Sequence, residues 1–235
     1  MTLSLLCVPF AGSGAGFYRA WPDGGEQGLR IVPLQMPGRE ERFLEDPYKD
    51  AAQAAEDLAG AALRLAGGAE RAVLFGHSLG AVLAYETARE LQARGFTALE
   101  HLFVSGSPGP RTGRTGRTAE LDDDTFVERV AELAGYRHAA LDDPDLREVL
   151  LPLLRADVAL HEEYRPVSDE PLTLPVTALR GMDDALVSRA QCATWETVTT
   201  GPFELRELPG GHMYLTDRQQ ELLAVITAAA RGART

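Results

Sequence analysis

Apolar positions along this chain fall into two kinds of stretch. Short, mostly apolar runs at Leu3–Val8, 31–35, 71–75, Leu99–Ser105, 174–179 and Phe203–Leu208 have the length and continuity of buried strands. Between them lie longer stretches rich in Ala, Leu and Glu, at Ala51–Ala66, 79–94, 188–199 and 217–231, which predict helices. Strands alternating with helices predict an α/β fold: a mostly parallel central sheet flanked by helices on both faces. No internal repeat interrupts the series.

One segment breaks the alternation. From 106 to 171 no strand pattern occurs. The segment opens with a run of Gly, Pro, Arg and Thr at 107–118, then carries helical patterns over 122–134, 144–154 and 155–164. Asp122 or Asp123 suits a helix N-cap, and Pro144 suits a first helical turn. Residues 1–235 therefore read as one α/β domain, with 106–171 as a helical lid insertion that roofs the site and lines a substrate channel. Arg111, Arg114 and Arg117 at its entrance form the densest basic cluster of the chain, and are expected to attract an acidic partner.

The chemistry enters at Gly76-His77-Ser78-Leu79-Gly80. This G-x-S-x-G pentapeptide follows the run 71–75 and precedes the helix 79–94. In that context it is the nucleophile elbow of an α/β-hydrolase, with Ser78 exposed at the end of the strand. A general base and an acid must come later in the chain, acid first. Of five histidines, His77 adjoins the nucleophile and points away from it, His101 begins a strand, and His138 and His161 lie in the insert. His212, after Pro209-Gly210-Gly211 and before the last helix, is the expected base. The acid belongs after the strand 174–179, where Gly181-Met182-Asp183-Asp184-Ala185-Leu186-Val187 offers two aspartates. The spacing to Gly181 and Val187 favours Asp184; Asp183 is the alternative, off by one register.

Composition narrows the partners. The chain has 235 residues and a net charge of −12, which argues against nucleic acid. Its two cysteines, Cys7 and Cys192, have neither metal-ligand nor C-x-x-C spacing and read as reduced thiols of a cytoplasmic protein. The apolar start lacks the basic opening and length of a signal peptide, and no stretch reaches membrane-spanning length. Gly12 to Gly16 lack the G-K-[ST] ending of a phosphate loop.

Taken together, the motifs resemble the type II thioesterases of polyketide and nonribosomal peptide assembly lines over nearly the whole length. Cys7-Val8-Pro9-Phe10-Ala11-Gly12-Ser13 resembles their oxyanion loop, and Gln35-Met36-Pro37-Gly38-Arg39-Glu40-Glu41-Arg42 their Pro-Gly-Arg-Glu signature. The elbow, the lid helix Leu151-Pro152-Leu153-Leu154-Arg155-Ala156-Asp157 and the histidine loop Gly210-Gly211-His212-Met213-Tyr214-Leu215 follow in order. Ser13 stands where members often have a second glycine, and Leu79 where methionine is commoner.

The resemblance implies an editing hydrolase that removes acyl groups from the phosphopantetheine arm of acyl or peptidyl carrier proteins. It would use Ser78, Asp184 and His212, with the backbone N–H groups of Ala11 and Leu79 as the oxyanion hole. It implies no metal or redox cofactor, the phosphopantetheine belonging to the substrate, and a monomer is favoured. A small-molecule esterase or lipase with the same triad, and a non-catalytic carrier-protein binding module, remain the alternatives.

Overall fold

The structure, a computed structural model, describes residues 2–22, 28–113, 116–135 and 139–232. Six strands form one sheet: β1 (Leu3–Val8), β2 (Leu29–Pro33), β3 (Arg71–His77), β4 (Leu99–Ser105), β5 (Val176–Gly181) and β6 (Phe203–Leu208). They lie in the order β2-β1-β3-β4-β5-β6, and each neighbouring pair is parallel. A strand alternates its side chains between faces, and here both faces are dry. Leu6, Val8, Leu74, Leu102 and Val104 pack into one apolar layer, while Leu5, Cys7, Val73, Phe75 and Phe103 pack into the other. Helices α2 (Ala51–Ala66) and α3 (Leu79–Ala93) cover the first face, and α7 (Gln219–Gly232) the second.

Most expected elements stand within two residues of their sequence positions. Three differ in kind. Residues 15–19, to which the sequence pattern assigns no element, form a short helix, α1 (Ala15–Arg19). Its backbone is held from a distance: Gly16 donates its N–H to the Glu40 carboxylate, and Ala15 to Gln35 Oε1 at 3.1 Å. The expected helix over 188–199 is instead a short α6 (Arg189–Ala193), capped by Ser188 and Gln191, followed by a 3-10 turn (Thr194–Val198).

The third difference lies in the insert. After α4 (Asp123–Ala134), capped by Asp122, one unbroken helix, α5 (Pro144–Glu163), replaces the two expected over 144–154 and 155–164. Leu151, Leu154, Asp157, Leu160 and His161 are buried at three- and four-residue spacing straight through the expected break, so one buried stripe carries the helix across it. Pro152 is tolerated inside because it sits on the exposed side, where water can take the carbonyl that its missing N–H leaves free. The far end of α5 is tied to α3, where buried Glu86 accepts from the Tyr164 hydroxyl (2.6 Å) and the Val167 N–H (3.1 Å).

Of the arginine cluster, Arg111 pairs with Asp169 at 3.0 Å and Arg117 with Glu120 at 2.7 Å; Arg114, like His138, lies outside the described residues. Both described arginines thus spend their charge on local acids.

His101, within β4, is buried and stacked on Phe103 at 4.2 Å. Its Nε2 lies 2.9 Å from Thr177 Oγ1, while Nδ1 has no hydrogen-bond partner among the described residues. Burial lowers its pKa from the ordinary value to about 4, against a weaker upward pull from Glu204. The folded protein therefore holds this ring neutral where the unfolded chain would protonate it. Stability is complete above pH 6.5 and falls as pH drops toward 4, by roughly 3 kcal/mol at full effect. Urea titrations across that range should show the loss, and His101→Gln should remove that share of it.

Candidate active site

The site is built at the C-terminal ends of four strands of the parallel sheet, β1 and β3 on one side of β4 and β5 and β6 on the other, where an open α/β sheet places its ligands. β3 delivers Ser78, β1 delivers the loop from Pro9 to Gly14, β5 delivers Asp184, and β6 delivers His212.

The turn at Ser78 is very tight. A Cβ on Gly76 would lie 1.9 Å from the Gly80 carbonyl oxygen, and one on Gly80 would lie 2.5 Å from that of Val8. Only glycine fits at either place. Ser78 itself has φ 54° and ψ −117°, a conformation that side-chain-bearing residues rarely adopt. The strain lifts the serine out of the strand to the start of α3, and it lines a cavity there.

His212 shares that cavity. Its Nδ1 lies 3.0 Å from Asp184 Oδ2, with both residues buried. The other carboxylate oxygen of Asp184 accepts the backbone N–H groups of Leu186 (2.8 Å) and Val187 (3.1 Å). Burial raises the Asp184 pKa, but the hydrogen bond and charge of His212, with those two amides, outweigh it; the net shift is downward. Asp184 is thus held ionised and aimed at one ring nitrogen. Asp183 is exposed.

The N–H groups of Ala11 and Leu79 accept no assignment elsewhere: neither has a hydrogen-bond partner among the described residues. Leu79 opens α3, where the first amides of a helix are unpaired and the dipole favours negative charge. Ala11 lines the cavity beside Ser78.

Several residues that support the site carry no role in the sequence reading. Arg180, buried at the end of β5, donates to the carbonyls of Val187 (2.9 Å) and Asp184 (3.1 Å) and is paired with Glu207, which fixes the acid loop. Behind His212, the His77 ring packs at 4.8 Å; its Nδ1 lies 2.9 Å from Ser105 Oγ, itself 2.8 Å from the Tyr214 hydroxyl. A charged or polar residue inside an otherwise apolar strand, such as Arg180 or Ser105, is the signal that could have marked them.

The cavity has a volume of about 420 Å³. Ser78, His212 and the loop from Phe10 to Gly14 form one wall; Val127, Val130, Leu150, Leu153, Leu154 and Val158, from α4 and α5, form an apolar wall facing them. Both cysteines lie apart from it. Cys7 and Cys192 are free and buried, and burial pushes both thiols up, Cys192 to about 12. Among the described residues no cluster of His, Cys, Asp and Glu could hold a metal ion, and no helix is long and apolar enough to cross a membrane.

A parallel sheet with a strained serine elbow, and an acid and a histidine on later strands, is the architecture of an α/β-hydrolase. Residues 4–229 match the thioesterase domain model, and the chain belongs to that family of thioester hydrolases. Among curated proteins it is 38% identical over 228 residues to a Streptomyces griseus protein named "Probable cadicidin biosynthesis thioesterase", covering 97% of this chain and 61% of that one. It is 35% identical to thioesterase PikA5 of Streptomyces venezuelae, covering 93% of this chain and 77% of that one. Among solved structures, the type II thioesterase BorB of the borrelidin cluster superposes with a TM-score of 0.84 at 35% identity, covering 98% of this chain and 93% of that one.

The elbow geometry predicts an asymmetric tolerance to a single methyl. Gly80→Ala should lose roughly 3 kcal/mol or fail to fold, since the clash is with backbone carbonyls that cannot yield. Gly68→Ala, with open space around the new methyl, should stay within about 1 kcal/mol of the parent in the same urea titration.

Proposed function

We propose that this protein is a serine thioesterase that hydrolyses acyl groups from the phosphopantetheine arm of acyl or peptidyl carrier proteins, as a type II editing enzyme of a polyketide or nonribosomal peptide pathway. The observation that carries the reading is the buried Asp184–His212 pair, whose histidine lines one largely apolar cavity with the strained Ser78, in a chain of the thioesterase family. The names of its relatives, among them type II thioesterases of the borrelidin cluster and the yersiniabactin NRPS/PKS pathway, support the pathway assignment, and the carrier-protein substrate is what the motif resemblance implies.

In this mechanism the Nδ1–H of His212 donates a hydrogen bond to the ionised Asp184, which leaves Nε2 as the base. Nε2 takes the proton of the Ser78 hydroxyl as its oxygen attacks the thioester carbonyl. Negative charge develops on the carbonyl oxygen, and the unpaired N–H groups of Ala11 and Leu79 are the donors that receive it. Each such donor contributes about 10²–10³ in rate. The intermediate collapses, the C–S bond breaks, and the imidazolium returns its proton to the departing thiolate. Water, deprotonated by the same ring, then cleaves the acyl-serine and restores Ser78. The apolar wall of α4 and α5 receives the acyl chain. The chemistry requires no metal or redox cofactor.

Mass spectrometry of an acylated carrier protein tests the whole reading. Incubation with the enzyme should remove the acyl mass and leave the free phosphopantetheine form, while Ser78→Ala leaves the acyl group in place. Hydrolysis of simple oxygen esters, with none of the loaded carrier, would make the protein a small-molecule esterase instead. Full function of Ser78→Ala in the host pathway would make it a binding module.

The two aspartates give a sharper test. Asp184→Asn should lower kcat by about 10³–10⁴, because the ring loses its orienting acceptor. Asp183→Asn, on the surface, should be nearly silent in the same assay. A fluorophosphonate should label the peptide containing Ser78, and not those containing Cys7 or Cys192.

A further inference from the structure

The Pro-Gly-Arg-Glu motif and the aspartate of the Leu-Leu-Arg-Ala-Asp run have no part in the mechanism above, yet they meet. Arg39 and Asp157, 118 positions apart in sequence, form a buried ion pair with side chains 6% and 3% exposed. The guanidinium grips both carboxylate oxygens, Nη1 to Oδ2 at 2.8 Å and Nη2 to Oδ1 at 2.9 Å. Its Nε donates to the Pro37 carbonyl at 3.1 Å.

Both members of the pair also bond to one turn. Asp157 Oδ2 also accepts the Gly12 N–H at 2.8 Å, and Arg39 Nη1 also donates to the Ser13 carbonyl at 2.8 Å. That turn is closed within itself: the Phe10 carbonyl accepts both the N–H (3.0 Å) and the hydroxyl (2.8 Å) of Ser13. Helix α5 presses on it as well. Gly12 has φ +74°, and a Cβ there would lie 2.9 Å from Leu154 Cδ1, one turn before Asp157. The groups on either side of Ala11 are therefore bonded, and the Ala11 N–H is left without a partner among the described residues.

A buried ion pair is weak evidence of stability, because desolvation offsets most of its attraction. A planar two-pronged contact is strong evidence of defined position. We infer that Arg39 and Asp157 are positioning residues: together they hold the Ala11 N–H where the oxyanion forms, and they make that placement conditional on α5 being seated. The inference rests on the hydrolytic reading above. Neither residue touches substrate. Both act through the turn, where a displacement of about 1 Å is enough to spoil a preorganised donor.

The test uses the full chain, a short acyl-N-acetylcysteamine thioester as substrate, and an alkyl trifluoromethyl ketone, which forms a hemiketal oxyanion on the serine. Asp157→Asn preserves shape and removes the charge. Arg39→Lys preserves charge and removes the fork. Each should lower kcat by about 10–100-fold with KM within about twofold, and weaken the ketone by a similar factor. The double variant should lose little more than either single one, since both break one unit.

Unchanged kcat in a folded variant, a change confined to KM, or undiminished affinity for the ketone would overturn the positioning role. So would a double variant whose losses simply multiply, or a failure of both single variants to fold, which would make the pair purely structural. A parent enzyme inert toward every acyl-thioester would instead sink the hydrolytic reading; an active parent with unaffected variants sinks only this inference.

Discussion

The contact between Gly76 and Gly80 is the constraint on which the rest of the site depends. With less than 2 Å between the Gly80 carbonyl and the place where a methyl on Gly76 would sit, the chain can leave β3 and enter α3 in only one way. That path forces Ser78 into its strained conformation and sets α3 down against the Val8 and Pro9 carbonyls. Because β3 is flanked by β1 and β4, and β5 and β6 follow in register, the loops bearing Ala11, Asp184 and His212 converge on the same edge. The strain is local, and it is balanced by a sheet buried on both faces and a helix buried along most of its length.

Much of this was legible in the sequence because it depends on local rules. Gly76 and Gly80 bracket the serine at a spacing that only one turn requires. Gly181 and Val187 select Asp184 from two adjacent aspartates, and the structure bonds Asp184 to His212 while leaving Asp183 at the surface. Buried strands announce themselves as apolar runs. What stayed hidden depends on partners far away in the chain. The helix at Ala15–Arg19 is held by Gln35 and Glu40, neither of which a reading of its own residues can supply. The continuity of α5 through residue 154 follows from what it packs against, since the stripe from Leu151 to His161 includes Asp157, a residue that belongs on an exposed face until Arg39 is brought to it. Arg180, likewise, is a charged residue within a fully buried strand, explained only by the carbonyls of the acid loop that it collects.

Charge is distributed in keeping with the work of each region. The surface is strongly acidic, and exposed arginines such as Arg111 and Arg117 are matched to neighbouring acids in contacts that contribute little. Among the described residues the buried charges near the site are directional: Arg39 with Asp157, Arg180 with Glu207, and Asp184 beside His212. Each fixes a loop at the C-terminal edge of the sheet. Position, more than net stability, is what these pairs contribute.

The placement of the two cysteines has a consequence for the enzyme's own survival. Every turnover of the proposed reaction sets free a thiol within the cavity, and thiols exchange with any accessible disulfide or oxidised cysteine they meet. Cys7 lies inside β1 and Cys192 inside α6, both away from the cavity, and their raised pKa keeps them protonated and unreactive. A catalyst that generates a mercaptan at each cycle thus offers it no sulfur to couple with, and product cannot accumulate on the protein as a mixed disulfide.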